Sequence, residues 1–197
     1  MQNLSYIMSV RFLLLILFLI LLGSCKQDEK TENKVADNNA TYFSIKQFVK
    51  DQYDIYRGQP FGLVKTVRLN GKVDSSLVTA NNMEWGSIFK IFFDTDISDP
   101  KFLNEYDFTM FEDDASLTRN FYYEAKSDKL YTKKLQISAD VTTNKIRSIF
   151  IEASENTRWH GKLRKLFYMP LKVINIQEFE RSTPGPDKEL IIEYRFL

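Results

Sequence analysis

From Tyr106 to the C-terminus the hydrophobic pattern has a period of two. Seven short runs carry it, near 106–112, 118–126, 130–139, 145–153, 159–169, 172–181 and 189–196. Turn-forming residues separate them: Ser127-Asp128, Thr143-Asn144, Pro170 and Ser182-Thr183-Pro184-Gly185-Pro186. Alternation turns one face of each run toward a core and the other toward water. Consecutive strands joined by tight turns pair antiparallel, because a parallel neighbour needs a crossover of a dozen residues or more. Leu190, Ile192, Tyr194 and Phe196 alternate most cleanly. Ile146, Ile149, Phe150 and Ile151 break the alternation, which predicts cover on both faces of that strand, with a helix on one of them. The expectation is an antiparallel meander of six or seven strands.

Upstream the period becomes helical. Phe43-Ser44-Ile45-Lys46-Gln47-Phe48 reads as a helix start, with Ser44 as N-cap, Gln47 at the capping-box position and Phe43 with Phe48 as hydrophobic staple. Apolar residues at 45, 48, 49, 53 and 56 continue the stripe, and Gly58 and Pro60 end it, predicting a helix over 45–57. Asn70-Gly71 is a strong hairpin signal between strands at 63–69 and 72–79, since both turn positions need positive φ. A second helix is expected over 82–93, followed by a loop holding Asp99-Pro100. The fold class is therefore α+β: two N-terminal helices with a hairpin between them, then the meander.

Phe12 to Leu22 is a run of eleven apolar residues without a charge. A membrane-spanning helix needs about 20, so this run, preceded by Arg11, has instead the length of a signal-peptide hydrophobic region. It ends in Leu22-Gly23-Ser24-Cys25, which places the single cysteine of the chain at the boundary with a charged segment. These four residues resemble the lipobox of bacterial lipoproteins. The resemblance implies a diacylglycerol thioether on Cys25, cleavage before it and acylation of the new amino group. Two or three acyl chains, at about 0.8 kcal/mol per buried CH₂, hold stably to a bilayer. Lys26-Gln27-Asp28-Glu29 resembles the acidic export signal that follows the lipidated cysteine in surface lipoproteins of the Bacteroidota, although a plain polar tether has the same composition. Residues 26–40 are polar and free of aromatics, so they cannot bury enough apolar surface to fold alone. Such a leash of about 15 residues has an r.m.s. reach of roughly 20 Å. The domain plan is a signal peptide at 1–24, the lipidated cysteine and tether at 25–40, and one α+β domain at 41–197.

Removing the signal leaves 197 − 24 = 173 residues, enough for one domain with a real core. Arg11 is the only charge removed, so 27 − 1 = 26 basic residues face 26 acidic ones. Phosphate binding needs a basic excess or a basic face, so nucleic acid is not an expected partner. With Cys25 acylated, no thiol is left for a disulfide, thiolate catalysis or a Cys-ligated metal. Seven glycines supply no phosphate-cradling loop, and no cofactor is expected.

Three segments are candidate sites. Asp94, Asp96, Ser98 and Glu105 fall at positions 1, 3, 5 and 12 of a calcium-loop template, but position 6 is Asp99 where the template has Gly, and a strand rather than a helix follows. Glu112-Asp113-Asp114 places like charges together, a pattern that raises one pKa for acid–base work. A turn rich in acids looks the same. Arg158, Trp159, Lys162 and Arg164 form the only basic cluster, a candidate surface for lipid headgroups or an acidic partner. His160, the only histidine, cannot build a multi-His metal site, and no nucleophile elbow accompanies it. No catalytic residue is assigned.

Lys65-Thr66-Val67-Arg68-Leu69-Asn70-Gly71-Lys72, then Met83-Glu84-Trp85, then Asp94-Thr95-Asp96-Ile97-Ser98-Asp99-Pro100 is similar to an order found in uncharacterised lipoproteins of the Bacteroidota, and Tyr123 to Leu130 fits the same order. The resemblance implies an outer-membrane lipoprotein, facing periplasm or cell surface, with the bilayer as its partner through Cys25 and no assigned activity. Two functions are open. One is a non-enzymatic module that binds an envelope protein or an apolar ligand on a curved sheet. The other is a carboxylate-based hydrolase of envelope or extracellular polymers. An apolar groove between helix and sheet favours the first, and a polar cleft with two facing carboxylates favours the second.

Overall fold

A computed structural model describes residues 42–197. The expected signal peptide, Cys25 and the expected tether lie outside the described residues. The helices are α1 (Ile45–Tyr56) and α2 (Trp85–Phe93). The strands are β1 (Gly62–Leu69), β2 (Lys72–Thr79), β3 (Tyr106–Asp113), β4 (Thr118–Ala125), β5 (Thr132–Asp140), β6 (Ile146–Asn156), β7 (His160–Met169), β8 (Val173–Ser182) and β9 (Lys188–Phe196).

All strands join one antiparallel sheet of nine in the order β2-β1-β9-β8-β7-β6-β5-β4-β3. This corrects the expected count of six or seven. The hairpin does not stand apart from the meander. β9 returns beside β1, with Leu63 opposite Phe196 and Leu69 opposite Leu190. The broad α+β class holds. Asn70 and Gly71 take φ of 48° and 82°, as a two-residue hairpin turn between twisted strands requires.

Both helices pack on one face of the sheet. Phe48 and Phe92 meet Tyr168 edge-on at 5.4 and 6.1 Å, and Tyr53 and Tyr56 of α1 meet Trp85 of α2 at 5.6 and 5.7 Å. Beneath them lie Leu135, Ile149, Ile151, Leu166 and Ile176, each buried. Fully burying one such side chain contributes about 1.5–3 kcal/mol. A Tyr56–Tyr168 hydroxyl contact sits in this core. Gln52 Oε1 lies 3.2 and 3.3 Å from the two hydroxyls; one donates to its partner across the pair and the other to Gln52, so neither buried oxygen is orphaned.

The expected cover on both faces of β6 is not found. Ile149 and Ile151 are buried under the helices, while Phe150 is only half-buried on the opposite face. The broken alternation has another cause. Ser138 pairs with Ser148 but Ala139 pairs with Ile146, so a bulge inserts one extra residue in β6. The bulge swings Ile146 onto the same face as Ile149.

Candidate functional site

The helices cover only part of the sheet face that they share. Beyond the start of α1, toward β3, an apolar groove of about 350 Å³ opens over β4, β5 and β6. Phe121, Tyr123, Ile137 and Ala139 form its floor, Ile146 arrives there through the bulge, and Phe43 overhangs it from the helix start. Asn144 is its one polar lining residue. Phe43 is held there by its staple contact with Phe48 at 5.9 Å. At the polar end, Arg119 donates to Asn144 Oδ1 at 3.3 Å and to Glu112 at 2.7 Å. The apolar surface continues from the groove onto β3, where Phe108 lies 5.0 Å from Tyr123 and 6.4 Å, stacked, from Phe121.

A second depression, of about 580 Å³, lies at the ends of β7, β8 and β9. Leu163 and Phe179 lie in it, but its walls hold three cations, Lys162, Arg181 and Lys188, and three carboxylates, Glu180, Asp187 and Glu189. The charges balance, so the depression has no sign to offer an ionic ligand. Of the two openings, the smaller one is the apolar site.

The basic cluster does not form a basic surface. Lys162 and Arg164 share a face, as alternation requires, but it is the helix-covered face. Arg164 is 8 % exposed. Its Nε donates to Glu178 at 2.7 Å and its NH1 to Tyr131 at 2.9 Å. Lys162 bridges Glu178 and Glu180 at 3.1 and 3.0 Å. Burial works against the Lys162 charge, but the hydrogen bonds that it donates to Glu180 and Glu178 more than offset it and raise its pKa. The same bond holds the Glu180 carboxyl below the usual carboxylate range. Arg158 and Trp159 remain exposed together, with the guanidinium 5.0 Å from the ring. The four residues are thus split between a neutralised interior ladder and a turn.

The calcium-loop candidates are not gathered either. Among the described residues no group of three or more metal-ligating side chains is placed to hold a metal ion. Asp96 serves the fold. Its Oδ2 accepts from Ser44 Oγ at 3.0 Å and Lys46 N at 2.9 Å, and its Oδ1 from Ser98 N at 2.9 Å. Two of these donors belong to the start of α1, so Asp96 shares in its cap. Ser44 accepts from Gln47 N as expected, but the Gln47 side chain turns to Asp51 instead of completing a capping box. Glu105 and Asp94 are exposed.

Glu112 pairs with Arg119, and Asp113 caps its own turn by accepting from Ser116 Oγ at 2.6 Å and Ala115 N at 3.0 Å. Those two bonds hold the Asp113 carboxyl low, opposite to what a general acid needs. His160 Nδ1 meets Ser182 Oγ at 3.3 Å, with no carboxylate bonded to its ring among the described residues. Among those residues, too, no helix is long and apolar enough to cross a membrane.

The groove residues carried a partial sequence signal. Phe121, Tyr123, Ile137 and Ala139 all fall on apolar-alternating positions, but nothing local said that the helices would stop short of them. Compared with family models, with curated proteins and with solved structures, the chain matches none.

Proposed function

We propose that this chain is a non-enzymatic lipoprotein of the bacterial outer membrane, facing periplasm or cell surface, whose domain binds one flexible apolar chain. The lipobox-like Leu22-Gly23-Ser24-Cys25 supports the anchor. The groove over β4–β6 carries the binding reading. Its 350 Å³ is near the lower end of ligand-pocket sizes, about 300–1,000 Å³, which suits a single acyl chain better than a whole two-chain lipid. Arg119, bonded to groove-lining Asn144, is the cation that an anionic head would meet, in competition with Glu112, which already holds it at 2.7 Å. Ten buried methylenes would contribute about 8 kcal/mol. Lost translational freedom offsets several of these, so binding is expected in the micromolar range or weaker. The hydrolase reading would need two facing carboxylates, one held protonated. Glu180 is shifted the other way, and Glu178 is tied to Arg164 and Lys162.

The test is fluorescence titration of the full chain with cis-parinaric acid. Ala139→Met grows a side chain into the groove from a position 5 % exposed and should weaken binding at least about tenfold at a stability cost of about 1–3 kcal/mol. Saturable binding that Ala139→Met leaves untouched would remove the groove from the account.

A further inference from the structure

β3 ends the sheet, pairing only with β4 among the described residues. Three of its eight residues are large, apolar and about half exposed: Phe108 51 %, Met110 51 % and Phe111 46 %. Edge strands are normally blunted by Lys, Pro, bulges or brevity. β3 has no Lys or Pro, and its register with β4 runs unbroken from Tyr106–Ala125 to Asp113–Thr118. β3 does carry Asp107, Glu112 and Asp113; β2, at the other edge, exposes Val73 and Leu77 but sets Lys72, Asp74, Ser75 and Ser76 around them.

The outward backbone groups can be assigned. Lys126 N donates to Glu105 O, which makes Glu105–Lys126 a hydrogen-bonded pair. Alternation then gives Asp107, Thr109 and Phe111 to β4, and leaves the N–H and C=O of Phe108, Met110 and Glu112 and the N–H of Tyr106 pointing outward, the Tyr106 C=O already accepting from the Tyr42 hydroxyl at 3.3 Å. A second copy of the same strand, running antiparallel, meets that set with its own. With the two-fold axis at Thr109, Phe108 lies opposite Met110 of the second copy, Tyr106 opposite Glu112, and Thr109 opposite itself. Asp107 meets Phe111. Across Tyr106–Glu112 no carboxylate faces another, and about six backbone hydrogen bonds form between groups not already engaged. The first like-charge pair, Asp113 with Glu105, falls beyond that span, where Asp113 is already held by Ser116 and Ala115. Moving the axis to Met110 sets Asp107 against Asp113 and Phe108 against Glu112. Moving it to Phe108 shortens the paired span.

We propose that β3 is a self-pairing edge, at which a second copy of this chain joins in antiparallel register about Thr109 to make one continuous sheet. The axis stands perpendicular to the sheet, so both helical layers lie on the same side. The two apolar grooves then meet at the seam, and Met110 of the second copy packs beside Phe108 at the groove mouth. The pairing stands independently of what the groove binds.

The test is cross-linking of the purified full chain carrying Cys25→Ser, so that no native thiol remains. Facing residues of a pair without backbone bonds have Cα atoms about 4.5 Å apart, inside the disulfide window of about 4.4–6.8 Å. Thr109→Cys should therefore give a disulfide dimer under mild oxidation, reversed by dithiothreitol. Met110→Cys, and Asp74→Cys on β2, should stay monomeric. Without oxidant the Cys25→Ser chain should sediment as a dimer, and Met110→Pro, which removes an outward N–H and none of the bonds to β4, as a folded monomer. If Met110→Pro does not fold, the cysteine series decides. A Thr109→Cys yield no higher than that of Asp74→Cys, or cross-linking through Met110→Cys instead, overturns the proposal.

Discussion

Replacing Asp96 by alanine removes one carboxylate and leaves three donors without their acceptor: Ser44 Oγ, Lys46 N and Ser98 N. Lys46 N is an orphan donor of the first turn of α1, so part of the loss is that of a helix cap, about 0.5–2 kcal/mol. The negative charge near a helix N-terminus contributes a further 0.3–1 kcal/mol or so. Water reaches Lys46 N, whose bond is exposed, which keeps the sum near about 2 kcal/mol rather than the full cost of buried orphans. For a chain of this size that corresponds to a Tm lower by roughly 4–8 °C. Asp96→Asn keeps an acceptor and loses the charge, so it should cost about half as much. The assay is urea unfolding of the full chain, read as a lower midpoint at constant slope, alongside thermal melts with and without millimolar calcium. Calcium should leave the wild-type Tm unchanged. An Asp96→Ala midpoint equal to wild type would refute the capping argument. A Tm that calcium raises in wild type but not in Asp96→Ala would restore the metal loop.

Glu178→Ala strands Arg164 beneath the helices and should cost about 3–5 kcal/mol, measured by denaturant unfolding. Burial pushes Tyr106 up to about 12 and raises Tyr56 and Tyr168 above 10.0. The folded state therefore favours their neutral forms. Their stability contribution is full below pH 10 and is lost as pH rises through the folded values, so phenolate absorbance should lag in the folded protein and jump on alkaline unfolding. Ile151→Ala, at a position 0 % exposed, should cost about 2–5 kcal/mol by the same unfolding assay. Cys25→Ala should abolish metabolic labelling with palmitate, whereas labelling that persists would contradict the lipid anchor.

The local signals were the readable ones. The Phe43–Phe48 staple, the Asn70-Gly71 turn and the alternating strands each depend on residues a few positions apart, and each is where the pattern put it. What the pattern missed is long-range. Asp96 caps a helix whose Lys46 is fifty residues away. The β9–β1 pairing that turns hairpin and meander into one sheet joins the two ends of the domain. The basic cluster looked exposed because its partners lie on the next strand. A signal for them existed: with the β7–β8 turn near Pro170-Leu171, Lys162 must fall opposite Glu180 and Arg164 opposite Glu178, and both pairs are of opposite charge. The bulge at Ile146 mimics double cover in the sequence, because an extra residue and a two-sided strand break alternation in the same way.

The central claim is that the groove over β4–β6 receives an acyl chain. The direct measurement is NMR of isoleucine methyl groups in the full chain while a fatty acid is added. Ile137 and Ile146 line the groove, whereas Ile174 and Ile176 are sealed in the core of β8. The account predicts saturable shifts at Ile137 and Ile146, with Ile174 and Ile176 unmoved and Ala139→Met suppressing the change. Shifts absent from Ile137 and Ile146, at concentrations that move other methyls, would contradict it.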